Sequence, residues 1–330
     1  MVSSAPGSLK LFGEHAVVYN RLGVSAAFDR RAEVRIKKGK GEVLITLVDF
    51  KQKGSFGKDE IESSYRRIRN LIEYGDFAEL KKEKQDIFAP HKFILGSFFE
   101  KHGFSPVDVE IKSQIPRSSG LGSSAGVFAA LANELGKYLK VELEKNELVE
   151  FTNLGDKVVH GKPSGLDANT CIHGGYLSFR MSEGVKVLKI KTEIPILVVN
   201  TKISKDTGEM IARVAELYKN NRKKADEIFD MMEETAKGGI RALESNDLHG
   251  LGVWMTEAQT CFEELGLSIK EVDDVIKIAK VKGAYGAKLT GAGGGGCVII
   301  LIDKPSSLIQ LYKKLGYDAF ETKLGAEGVI

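Results

Sequence analysis

Two glycine-rich stretches hold the residues best suited to chemistry. The first, residues 115–125 (IPRSSGLGSSA), lies between a segment of strand character and one of helix character. Glycine lets backbone amides approach an anion closely. The first amides of a helix are unpaired and sit at its positive dipole end. Phosphate therefore fits this loop, along Pro116, Ser118, Ser119, Gly120, Leu121 and Gly122. The hydroxyls of Ser123 or Ser124 are then in reach of a phosphate or a magnesium ion, and Arg117 adds charge. The same residues also make an ordinary serine-capped helix after a polar turn. The loop is not a Walker A loop, because no Gly-Lys-Ser/Thr follows at the required spacing, and it is not a clean dinucleotide fingerprint.

The second stretch is residues 288–301 (KLTGAGGGGCVIIL). Four successive glycines usually mark a flexible linker, but here they are wedged between two apolar, strand-like runs. A loop that lets a substrate or phosphate approach the backbone accounts for them, and so does a tight bulged hairpin.

These loops need a frame. The chain has 330 residues, 42% of them hydrophobic, enough for one large domain or two ordinary ones. A net charge of +3 gives no reason to expect nucleic acid as a partner. Cys171, Cys261 and Cys297 are far apart and odd in number, which fits free thiols in a reducing compartment rather than disulfides or zinc. No signal peptide is visible, and the apolar runs are strand-sized, so a soluble, cytoplasmic protein without a membrane role is expected. The patterning predicts strands at 8–12, 32–37, 42–48, 107–112, 194–200, 287–290, 297–302 and 318–322, and a hairpin at 175–190. Helices are predicted at 60–75, 86–102, 124–139, 144–155, 306–314 and through 207–282. Strands and helices mix without strict alternation, so the class is α+β, with the domain break placed between residues 190 and 191.

Three segments together resemble the GHMP kinase superfamily: residues 5–19 (APGSLKLFGEHAVVY), the loop around Gly120–Ser124, and residues 288–297. Within it the chain is similar to the mevalonate kinase family, particularly its eukaryotic type. Residues 160–167 (HGKPSGLD), 200–207 (NTKISKDT) and 321–328 (ETKLGAEG) carry that resemblance, which spans nearly the whole chain and is weakest over 48–101. It implies two domains, a ribosomal-protein-S5-like one over 1–190 that binds ATP and a ferredoxin-like one over 191–330, with the site in the cleft between them. It also implies ATP and Mg2+ as cofactors, phosphorylation of the 5-hydroxyl of mevalonate in the isoprenoid pathway, and room for a homodimer.

The resemblance assigns roles residue by residue. Asp167 matches the catalytic aspartate, although an Asp after Ser-Gly is commonly a turn or cap residue. Ser124 matches the magnesium-binding serine, and Asp156 stands where the family has its second, glutamate ligand. Glu14 and His15 match residues lining the substrate site, Thr207, Gly291 and Ala292 match other substrate-side positions, and Lys202 is a candidate for the substrate carboxylate. The largest departure is Ser8, where the family pattern Ala-Pro-Gly-Lys has its lysine. Lys10 lies two residues on, and in a strand residues i and i+2 share a face about 6.6 Å apart. A charge inside an otherwise apolar strand needs a reason, so Lys10 is expected to supply the displaced ammonium. Two rival readings stay open: another enzyme of the superfamily, acting on phosphomevalonate, a sugar or homoserine, and a nucleotide-binding regulator that has lost catalysis.

Overall fold

The computed structural model describes residues 2–117, 119–161, 163–203 and 207–330. The chain opens with two long strands, β1 (Ser3–Phe12) and β2 (Gly23–Lys38), joined by a tight corner and a 3-10 turn at Ala16–Tyr19. There follow β3 (Val43–Leu47), β4 (Gln52–Phe56), α1 (Lys58–Glu73), α2 (Phe77–Glu83), α3 (Ala89–His102) and β5 (Val107–Ser113). Next come α4 (Ser123–Leu139), α5 (Lys145–His160), α6 (Leu166–His173), β6 (Tyr176–Arg180) and β7 (Gly184–Leu188). The second half runs β8 (Ile194–Asn200), α7 (Thr207–Asn220), α8 (Arg222–Glu244), α9 (Leu248–Glu264), α10 (Lys270–Val281), β9 (Gly286–Thr290), β10 (Cys297–Leu301), α11 (Ser306–Lys314) and β11 (Asp318–Leu324).

The strands form one sheet in the order β4-β3-β5-β2-β11-β8-β10-β9, with β1 and β6 also on β2, and β7 on β6. β3 and β5 are parallel, and the other pairs are antiparallel. The expected break at 190/191 falls between β7 and β8, yet the sheet crosses it. The seam is thin: β11 meets β2 at the single register pair Leu324–Phe28, against seven pairs between β11 and β8.

β2 and β1 both outrun their expected lengths. Residues 24–28 are buried on both faces, so they show no polar alternation to read. In β1, Pro6 and Gly7 look like turn residues but sit at a register shift against β2, where a strand tolerates them. β4, α2 and α6 were not anticipated: β4 is polar, and the two helices have seven and eight residues, too short for a periodic signal.

Three large apolar cores fill the molecule. One packs α3, α4 and α5 on β3 and β5 and contains Cys171. A second lies among α7 to α11 and β8 to β10 and contains Cys261. The third lies under β1, β2, β8 and β10 and contains Cys297. All three thiols are free and buried. No helix is long and apolar enough to cross a membrane, among the described residues.

Candidate active site

The first glycine loop turns the chain from β5 into α4. Gly120 and Gly122 have φ of 73° and 67°, and Gly122 is the residue that caps α4, with no side chain bonded to the helix amides. The serine-capped reading is therefore corrected: Ser123 and Ser124 are the first two helical residues, and no side chain among the described residues caps the N-terminal amides. The glycine at 122 has a second reason. A Cβ there would lie 2.7 Å from the Ser8 Cβ and 2.9 Å from its nitrogen. The loop presses on β1, and the Ser8 amide donates to the Leu121 carbonyl at 3.0 Å. Ser119 donates to the Pro116 carbonyl at 2.6 Å, which folds the loop on itself, and Leu121 is buried. Ser118 lies outside the described residues.

Lys10 and Asp167 meet beside this loop. Lys10 comes from β1 and Asp167 from the second residue of α6, whose start is set by Gly165 at φ 77°. The Lys10 ammonium bonds both carboxylate oxygens, 2.6 Å from Oδ2, with both side chains partly open to solvent. On the other side of the loop, the Ser124 hydroxyl donates to Asp156 Oδ1 at 2.7 Å and lies 3.3 Å from His160 Nε2. Asp156 and His160 are four apart on α5 and so share a helix face. Burial pushes the Asp156 carboxyl up to about 7. The Ser124 hydrogen bond opposes the rise, Asp167 adds to it, and Lys10 opposes it.

Lys10, Asp167, Ser124 and His160 border a cavity of about 860 Å³, within the size range of small-molecule sites. Pro116, Ser119, Gly120, Leu121, Gly122, Ser123 and Ser124 line it with Lys10, Asp167 and His160. Leu47, Phe50, Ile87, Pro90, Phe128 and Val159 supply apolar wall, and the Arg117 guanidinium lies 4.0 Å over the Phe50 ring. Half of that wall, Phe50, Ile87 and Pro90, comes from residues 48–101, where the resemblance is weakest.

The second glycine run takes the tight-hairpin form that the sequence allowed. It closes the β9–β10 hairpin, with Thr290 paired to Cys297, and it faces the first loop: a Cβ on Gly120 would lie 4.0 Å from the Gly291 Cα. Gly291, Gly293, Gly294, Gly295 and Gly296 all have positive φ, and a Cβ on Gly295 would lie 2.4 Å from the Ile203 carbonyl oxygen. His15 Nε2 donates to the Ala292 carbonyl at 2.9 Å. Burial lowers the His15 pKa against the opposing pull of that carbonyl and of Glu14. The Thr290 hydroxyl donates to the Lys10 carbonyl at 2.9 Å. Glu14, His15, Gly291 and Ala292 are thus brought together. Lys202 and Thr207 are not joined to them: both are exposed, and the Lys202 ammonium rests 3.1 Å from Asp318.

Sequence reasoning missed Lys288. Its side chain is fully buried and its ammonium bonds Glu14 Oε1. The signal was present, a lysine inside an apolar strand, the same oddity that singled out Lys10. His160 was read as part of a motif and given no role.

Comparisons with known proteins bear on the fold and the family. Residues 91–175 match the family model for the GHMP kinases N terminal domain, and residues 240–321 match that for GHMP kinases C terminal. The chain is 31% identical to the mevalonate kinase of Pyrococcus abyssi and 32% to that of Thermococcus onnurineus, each match covering 100% of this chain and 97% of the relative. The crystal structure of the Methanococcus jannaschii mevalonate kinase superimposes with a TM-score of 0.84 at 26% identity, covering 98% of each chain. Full-length likeness, two matching domain models and a shared fold lead to one assignment: the chain belongs to the GHMP kinases, among the mevalonate kinases.

Proposed function

We propose that this protein transfers the γ-phosphoryl group of ATP to the 5-hydroxyl of mevalonate, giving 5-phosphomevalonate and ADP in the isoprenoid pathway. The observation that carries this reading is the contact of Lys10 with Asp167 beside the open N-terminus of α4. Phosphoryl transfer needs positioning and charge neutralisation more than covalent chemistry from the protein.

The free amides of α4 and the backbone at Gly120 and Gly122 hold phosphate oxygens. Asp167 orients the substrate hydroxyl and takes its proton as the new O–P bond forms and the bond to the β,γ-bridging oxygen breaks. Lys10 keeps Asp167 in place and offsets negative charge on the transferring group. Mg2+ fits the donor set, because Ser124 Oγ and Asp156 Oδ1 are hard oxygen ligands 2.7 Å apart beside the loop, and magnesium needs only one or two protein ligands with phosphates and waters. Bound there, it neutralises phosphate charge. In this reading residues 1–190 carry the nucleotide side, while Gly291 and Ala292, with Glu14 and His15, border the substrate side.

A regulator that has lost catalysis drew its support from the missing lysine at Ser8 and the shortened acid at Asp156, and the Lys10–Asp167 contact argues against it on the first count. ATP turnover with mevalonate, with and without magnesium, tests the proposal beside Asp167→Asn. Turnover that needs magnesium and falls by roughly 10² to 10⁴ in the variant is expected. Bound ATP without turnover of mevalonate would move the assignment to another hydroxyl substrate or to a non-catalytic protein.

A further inference from the structure

β9 is buried at every one of its five residues and ends the sheet, with β10 on one side. Its other edge is covered by α9, where Gln259 accepts a hydrogen bond from the Leu289 amide at 2.9 Å and its own amide group donates to Ser268 at 3.1 Å. Alternate residues from β9 onward then reach the segment around the β1 corner. Lys288 bonds Glu14, Thr290 bonds the Lys10 carbonyl, and the Ala292 carbonyl accepts from His15. The first two links follow the two-residue period of a strand, and the third lies just past its end. They span 274, 280 and 277 residues of chain.

The outermost link is an unusual use of charge. Lys288 is 0% exposed and the Glu14 side chain 3%. A buried ion pair is weak evidence for stability, since desolvation offsets its attraction and an apolar pair of similar volume often folds as well. What such a pair gives is a defined geometry. The partners are unequal. Lys288 also bonds the Leu289 carbonyl and lies 5.2 Å from the Phe262 ring centre, whereas Glu14 Oε2 is buried with no hydrogen-bond partner among the described residues. Glu14 is held through its other oxygen, by Lys288. Without that ammonium an uncompensated carboxylate would leave its pocket and take the adjoining Gly13 turn and His15 with it.

We propose that Lys288 is a positioning residue for the phosphoryl-accepting side of the site, acting through Glu14 to register the first motif on the third. The proposal rests on the kinase reading given above. It separates the two sides of the site. The nucleotide loop is tied to β1 upstream, at Ser8, so loss of Lys288 disturbs the alcohol and leaves ATP alone.

A double-mutant cycle of Lys288→Met and Glu14→Gln tests it. Thermal midpoint, KM for ATP and kcat/KM for mevalonate are measured on all four proteins, and hydrogen exchange of residues 13–19 is followed without substrate. In Lys288→Met, kcat/KM for mevalonate is expected to fall by about ten- to a hundredfold, the scale of a misplaced site group, with KM for ATP unchanged and exchange in 13–19 faster. The double variant is expected to lose no more than Glu14→Gln alone. Losses that multiply in the double variant overturn the proposal, as does a Lys288→Met protein that melts lower but keeps wild-type kinetic constants. Should Lys288→Met not fold, the uncharged double variant against Glu14→Gln decides the same question. Failure of the wild type to turn over mevalonate counts against the kinase reading instead, and the exchange of residues 13–19 still decides the role of Lys288.

Discussion

Lys10 lies where a strand's pleat lets one residue stand in for another. Ser8 pairs with Ala27 and Lys10 with Ser25, with no register shift between them, so both side chains leave the same face of β1. This was legible from spacing alone, because the period of a strand needs no partner to define it. Lys288 showed the same oddity in the sequence, but its partner Glu14, 274 residues away, left no trace there. Asp156, read as a shortened magnesium ligand, does lie against Ser124, but its burial had no trace in the sequence. If face and not position is what matters, Lys10→Met should lower turnover by roughly 10² to 10³, the usual cost of losing one aimed charge. Adding Ser8→Lys to that variant should restore at least about tenfold. Steady-state turnover of the three proteins decides this, and no recovery in the second variant would tie the function to position 10 itself.

Among the elements, α4 and β5 were legible because one is rich in Ala and Leu and the other alternates cleanly. α3 carries almost no polar face: eleven of its residues, from Ala89 to Phe99, are buried, so periodicity could place it but not orient it. His91 sits in its first turn, 5.6 Å from the Phe128 ring, with Nδ1 unpartnered. Burial lowers its pKa from 6.5 to about 4, against the pull of the Ile87 carbonyl and Asp86. A charge there would also oppose the positive end of the helix. Between those two values the unfolded chain binds a proton that the folded chain refuses. This group therefore costs stability as pH falls through that window, up to roughly 3 kcal/mol at its lower end. Urea midpoints at neutral pH and near pH 4.5 should converge in His91→Gln relative to the wild type. An unchanged acid slope in the variant would place the sensitivity elsewhere.

At the scale of the molecule, the order of motifs suggested two halves, but the single sheet that runs across them had no trace in the sequence. Nothing in residues 24–28 announces that β2 extends far enough to meet β11, because a strand buried on both sides shows no alternation. The halves share one sheet and also the third core, which takes residues from both, and each of the three cores holds one cysteine. Burial raises the thiols of Cys261 and Cys297 to about 12 and that of Cys171 well above its ordinary value, so the folded protein offers almost no thiolate to a reagent. The chain thus carries three clocks, each started only when the core around it opens. Under mild denaturant Cys261, in the helical layer of the second half, should be labelled before Cys171 and Cys297, with rates read by mass spectrometry of the modified peptides. A common rate for all three would mean that the shared sheet and third core make all three cores open as one.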